Sequence, residues 1–161
     1  MDEIYLANGL GFSGITKSGI ESIRQYLENA GFRVYEPFQK SDDLGIKIAG
    51  LLREERDYDV LKSKLGEINQ EIARRNADAI DDARAIVAVL DGGYDLDSGV
   101  AAEIGYGVAL GKKVVGLRTD IRCGGENPGA TINIQVEYFI RRSGGTIVSE
   151  LDALLAELQR E

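Results

Sequence analysis

The feature that most constrains this chain is Ala85–Leu90, AIVAVL, six apolar residues in a row closed by Asp91-Gly92-Gly93. A strand with one wet face alternates apolar and polar residues, whereas an unbroken run of this length suits a strand covered on both faces. Strands buried in this way belong to parallel sheets roofed by helices. The flanking sequence has that form. Val60–Ala83 carries Leu61, Leu65, Ile68 and Ile72 at helical spacing and predicts a long helix, with a break near Asn76. Asp97–Leu110 predicts a second helix, and Lys113–Leu117, KVVGL, the next strand.

The same alternation extends to both ends. Ile4–Ala7, closed by Asn8-Gly9, reads as a buried first strand. Thr16–Ala30 is helical, with Ile20, Ile23 and Leu27 on one face and Gly31 as its stop. Phe32–Tyr35 is a second strand ending before Pro37. Residues 38–58 form a charged excursion with one short helix around Ile46–Leu52, placed either as an active-site lid or as a solvated insertion. Asn133–Ile140 reads as helix, although its Ile, Val, Tyr and Phe also favour a strand. Thr146–Val148 is a short last strand, and Ser149 with Asp152 resembles a capping box before a final leucine-rich helix. The expectation is one α/β domain over residues 1–161: a doubly wound parallel sheet of about five strands with helices on both faces. Ligands of such sheets bind at the carboxyl ends of the strands. That directs attention to the loops Asn8–Thr16, Gln39–Asp57, Asp91–Ser98 and Arg118–Thr131.

Composition narrows the chemistry. The chain contains no histidine, so acid–base or nucleophilic work falls to carboxylates, Tyr, Lys, Cys or Ser, and most zinc and iron sites are removed. A net charge of −8 argues against nucleic acid or an anionic membrane as partner. The single cysteine, Cys123, allows no internal disulfide and suits a reducing, cytoplasmic compartment. No signal peptide and no apolar run of membrane-spanning length is visible.

The stretch most able to carry chemistry is Asp91–Gly111, DGGYDLDSGVAAEIGYGVALG, which leaves the carboxyl end of the best strand. Asp97 and Ser98 are good helix N-caps. The helix after them contains Gly99, Gly105 and Gly107, each costing about 1 kcal/mol against alanine, a loss that close approach of a backbone or ligand must offset. Glu103 lies among these small residues in the second turn, as a candidate nucleophile or as an ordinary surface glutamate. Asp91, Asp95 and Asp97 crowd one turn and offer carboxylates to a ligand or a divalent cation, but the calcium-loop spacing is absent.

These residues resemble the nucleoside 2-deoxyribosyltransferase family. Asp97-Ser98-Gly99 followed by Ala102-Glu103-Ile104-Gly105 is similar to its DSGT-x-x-EIG-x-A element, and Tyr5-Leu6-Ala7 to the YLA of its first strand. Gly31–Pro37 is similar to its G-F-x-V-x-x-P strand, and Asn76–Leu90 to its D-x-x-x-I-x-x-A-D-x-V-V-A-V-L segment. The resemblance runs in register to about Gly111; Arg84 stands where the second aspartate is expected, and the tail from Arg118 does not match well. It implies a flavodoxin-like sheet, no cofactor and no metal. It further implies Glu103 as the nucleophile that attacks the anomeric carbon, Tyr5 orienting it, and Asp97 and Asp78 contacting and protonating the base. Asn133, or its rival Gln135, would reach sugar hydroxyls of a neighbouring subunit in a homo-oligomer of dimer size or larger. Gly9, Phe12, Ser98 and Gly99 join the expected substrate contacts. The implied partners are a nucleoside or nucleotide and a free nucleobase.

The implied reaction is a retaining displacement at a C–N bond: a carboxylate attacks an oxocarbenium-like centre while a protonated carboxyl serves the leaving base. Three alternatives stay open. A 5′-monophosphate N-glycosidase would cradle phosphate with Gly9, Gly11, Ser13, Gly14 and a helix N-terminus. A non-catalytic nucleotide-binding module would use the same fold. A metal-dependent module would use Asp91, Asp95 and Asp97.

Overall fold

A computed structural model describes residues 2–92 and 96–160 of the chain. Five parallel strands, β1 (Glu3–Ala7), β2 (Arg33–Tyr35), β3 (Ala85–Val89), β4 (Lys113–Leu117) and β5 (Ile147–Val148), stand in the order β2-β1-β3-β4-β5. That is the flavodoxin-like order, with its switch point between β1 and β3. Among the described residues, seven α-helices connect and cover the strands: α1 (Lys17–Asn29), α2 (Pro37–Lys40), α3 (Asp42–Glu54), α4 (Tyr58–Asp82), α5 (Ser98–Ala109), α6 (Ile134–Arg142) and α7 (Leu151–Gln159). All five residues of β3 are buried, as its lack of alternation requires. The core has two layers. On one face Tyr5, Ile86 and Val114 pack under Ile104 of α5 and Ile140 of α6; on the other Leu6, Val87 and Val115 pack under Leu27 of α1 and Leu154 of α7.

Gly31, at a φ of 95°, ends the turn after α1 in a left-handed conformation that favours glycine. Gly107 answers the question raised by the glycines of α5. A Cβ there would lie 2.1 Å from Ile86 Cδ1, so its absence lets the helix press onto β3.

The structure corrects three local expectations and bears out a fourth. Residues 38–58 are not a loop with one short helix but almost wholly helical, as α2 and α3. Glu36 is the N-cap of α2, its carboxylate accepting from the Phe38 and Gln39 amides, and Pro37 fills the first turn. The buried anchor of α3 is Leu44, while Ile46 in the expected apolar patch faces outward. Helix α4 runs unbroken past Asn76, braced by Glu71 with Arg74 and Arg75 and by Arg74 with Asp78. The helix expected over Asn133–Ile140 forms as α6, and the Asn133 side chain caps it by accepting from the Gln135 and Val136 amides. The capping box at Ser149 does not form; Glu150 holds the N-cap position of α7 without a side-chain bond.

The close contact of α5 with β3 yields a stability test. Gly107→Val is expected to cost about 1–3 kcal/mol by overpacking against Ile86, a fall of several degrees in Tm for a domain of this size. An unchanged melting curve would contradict the packing.

Candidate active site

The switch point places two distant residues together. Tyr5 sits on β1 and is wholly buried. Helix α5, which follows β3, contacts β1 as well as β3 and β4, and so brings its second turn to the side of Tyr5. The Tyr5 phenol donates to Glu103 Oε1 at 2.6 Å across 98 residues of sequence. The other carboxylate oxygen, Oε2, has no hydrogen bond among the described residues.

Burial sets the charge of this pair. The Glu103 carboxyl is pushed up to about 7, first because burial penalises its charged form and then because Asp97 repels it, against the lowering pull of the Tyr5 hydrogen bond. Burial and the carboxylate beside it raise the Tyr5 phenol far above the ordinary tyrosine value, so it stays protonated and stays a donor.

Asp97 is the N-cap of α5. Its Oδ1 accepts from the Val100 amide at 3.0 Å, which fixes one oxygen and leaves Oδ2 for a ligand. Gly9 makes room for it: a Cβ at Gly9 would lie 2.7 Å from Asp97 Cβ and 2.9 Å from Cγ. A buried bracket holds the loop that carries Gly9. Asn8 Nδ2 donates to Glu36 Oε1 at 2.8 Å, and Asn8 Oδ1 accepts from the Gly11 amide at 3.0 Å. Because Glu36 also caps α2, one carboxylate ties the end of β1 to the start of the helical excursion.

The result is a cleft of about 630 Å³ beside Glu103 and Asp97, a size suited to a small metabolite. Phe12 and Phe38 line it, meeting edge to face with centroids 4.7 Å apart. Ile48 of α3 and Ile72 and Asn76 of α4 form the opposite wall. Lys17 is the one cation on the lining and has no partner among the described residues.

Such a site places a partly neutralised carboxylate beside a cleft of metabolite size at the switch point of a flavodoxin-like sheet. The comparisons with known proteins give the family. The model of the nucleoside 2-deoxyribosyltransferase family matches residues 4–135, and the chain belongs to that family. Among solved structures, a conserved protein from Enterococcus faecalis V583 is 26% identical over 99% of this chain and 98% of that one, with a TM-score of 0.63. The 2-deoxyribosyltransferase of Bacillus psychrosaccharolyticus is 18% identical over 95% of this chain and 90% of that one, with a TM-score of 0.65. A CMP N-glycosidase from Clostridium botulinum is 19% identical over 99% of this chain and all 100% of that one, with a TM-score of 0.56. The last two, at their low identity, show a shared fold. No curated protein matches the chain.

The structure brings Glu103, Asp97, Phe12 and Gly99 together on one cleft, with Tyr5 behind Glu103 and Gly9 against Asp97, both off its lining. Ser98 opens α5 but does not line the cleft. Asp78 is not brought to it: it lies on the outer side of α4, paired with Arg74 at 2.5 Å. Asn133 lies outside this chain's cleft, donating to Glu126 Oε1 at 2.7 Å while it caps α6; Gln135, its rival, is exposed on the same helix. Asp91 accepts from the Thr119 amide and hydroxyl and from the Asp120 amide, so its carboxylate clasps the loop after β4. Asp95 lies outside the described residues. Among the described residues, no cluster of three metal-ligating side chains forms, and no helix is long and apolar enough to cross a membrane.

Sequence reasoning missed Asn76, Phe38 and Glu36. The signal for Asn76 was present, since it stands four residues before Ile80, where the D-x-x-x-I pattern has its acid. Asp78 is two residues on, about 200° further round the helix and therefore on its other side.

The raised Glu103 carboxyl carries a stability consequence. The folded chain holds a proton that the unfolded chain releases near its ordinary value of 4.5, so stability falls as pH rises from about 4.5 to about 7, with the full cost present above 7. That cost is on the order of 3 kcal/mol. Glu103→Gln is expected to raise Tm by several degrees at pH 8 and to leave it near the parent value at pH 4.5. An equal effect at both pH values would contradict it.

Proposed function

We propose that the chain cleaves the N-glycosidic bond of 2′-deoxyribonucleosides and passes the deoxyribose to another nucleobase or to water, through an ester with Glu103. The observation that carries this reading is the Tyr5–Glu103 hydrogen bond, which engages one carboxylate oxygen and leaves the other unpaired beside the cleft. Glu103 Oε2 attacks C1′ as the C–N bond breaks, and the bonding pair leaves with the base. A proton from solvent reaches a ring nitrogen of that base by way of Asp97 Oδ2, since the resting Asp97 is the anion that repels Glu103. An incoming base then attacks C1′, breaks the ester, and returns its proton to Asp97; with water as acceptor, the same step gives free deoxyribose. The oxocarbenium-like transition state places positive charge at C1′, and an anion held against C1′ stabilises it. Tyr5 keeps that anion oriented and never competes for its own proton.

Phe12 and Phe38 offer aromatic faces to the base, and Asn76 a neutral amide where the family pattern has an acid. Proton delivery on this reading therefore rests on Asp97 alone. Asn133, with the exposed Ile134 and Tyr138 beside it, is assigned to a face that meets a second copy of the chain; its position away from this chain's own cleft supports that assignment.

One observation favours a second substrate, the 5′-monophosphate. Lys17 lines the cleft at the start of α1 and is without an ion-pair partner among the described residues, which suits a phosphate. The Clostridium CMP N-glycosidase shares the fold.

The test is incubation with 2′-deoxyinosine, with and without adenine, followed by chromatography. Deoxyadenosine forms only when adenine is present, and Glu103→Ala lowers the rate by about a thousandfold or more. Free hypoxanthine without exchange would assign the hydrolase. Turnover of deoxyinosine monophosphate alone, lost in Lys17→Ala, would assign the monophosphate. Inert nucleosides and nucleotides would overturn the catalytic reading in favour of a binding module.

A further inference from the structure

We infer that Tyr35 is a positioning residue for Glu103, acting through the ring of Tyr5. The inference rests on Glu103 being the reactive carboxylate. Tyr35 and Tyr5 are register partners on the adjacent parallel strands β2 and β1, so their side chains leave the sheet on the same face. Their rings stack with centroids 5.7 Å apart and planes 13° apart. On the other side of Tyr5 its register partner is Ile86 of β3, which is fully buried in the same core layer. Tyr5 is thus held in a row of three, with an aromatic plane on one side and a branched aliphatic chain on the other.

That row matters because the phenol oxygen is rigid with its ring and its hydrogen prefers the ring plane. Holding the ring therefore fixes where the oxygen stands when it donates to Glu103 Oε1 at 2.6 Å. The hydroxyl of Tyr35 is not what holds it in place, for that oxygen is buried and has no hydrogen-bond partner. A buried hydroxyl without a partner is a net cost, so the contribution of Tyr35 to the site is its ring. Losing the ring would open space beside Tyr5, let the phenol turn, and weaken the bond that holds Glu103 in its charged form.

The test compares Tyr35→Leu and Tyr35→Phe with Tyr5→Phe. It reads the titration of the Glu103 carboxyl by carbon NMR of the labelled, folded protein. A second reading takes kcat and KM for the transfer reaction. In Tyr35→Leu the Glu103 titration is expected to move upward, in the same direction as in Tyr5→Phe. The value of kcat falls about ten- to a hundredfold with KM little changed, the scale of a small misplacement of a reacting group. Tyr35→Phe keeps the parent titration and kcat, with Tm unchanged or raised. Adding Tyr35→Leu to Tyr5→Phe gives no further shift, because both act on one bond. If Tyr35→Leu does not fold, Tyr35→Met fills the volume without a flat ring and is read in its place. A Glu103 titration unmoved in the folded variant, or equal effects of Tyr35→Phe and Tyr35→Leu, would overturn the inference. The NMR reading needs no substrate. A chain inert toward every nucleoside but with a shifted Glu103 would therefore overturn the proposed function and leave the role of Tyr35 standing.

Discussion

A carboxylate placed at the edge of a hydrophobic core is costly, and the rest of this site follows from how the chain handles Glu103. Burial and Asp97 both disfavour its charge; one hydrogen bond from Tyr5 favours it. The balance leaves the group half ionised near neutral pH, where a carboxylate in water would be fully ionised and well solvated. On the proposed function, a carboxylate with few water molecules to shed is a better nucleophile toward a developing cation, and the stability lost to its burial is the counterpart of that reactivity. The donor is a phenol because a phenol so deeply buried never ionises in the physiological range.

The geometry that delivers this bond is topological. A parallel sheet in the order β2-β1-β3-β4-β5 has neighbouring crossovers leaving in opposite directions at β1 and β3, which opens a crevice at their carboxyl ends. Tyr5 comes from the first of those strands, and Glu103 from the helix that follows the second. The helical excursion α2–α4 then closes one side of the crevice, and the buried Asn8–Glu36 pair couples that wall to β1. Only glycine at position 9 lets the first loop approach Asp97 so closely.

Much of this was legible in the sequence. The apolar runs AIVAVL and KVVGL became β3 and β4 nearly residue for residue, because strands buried on both faces carry no competing polar signal. Tyr5, Asp97 and Glu103 were legible through the family resemblance, not through periodicity. The cleft wall was not. Pro37 read as the end of a strand, and its second role, opening a helix capped by Glu36, depends on a side chain folding back onto its own backbone. The resemblance pointed to Asp78, whereas helical phase places Asn76 on the cleft and Asp78 beside Arg74. Asn133 is engaged as a cap, a use that short polar residues share with ligand binding and that no single sequence separates.

The central claim is that Glu103 itself bonds to the sugar. The direct measurement is peptide mass spectrometry of the protein quenched in acid during turnover of a 2′-deoxynucleoside. The account predicts one deoxyribosyl increment on the peptide that carries Glu103, absent from Glu103→Gln and lost when an acceptor base is added before quenching. Turnover with an unmodified Glu103 peptide, or an increment placed on another residue, would contradict it.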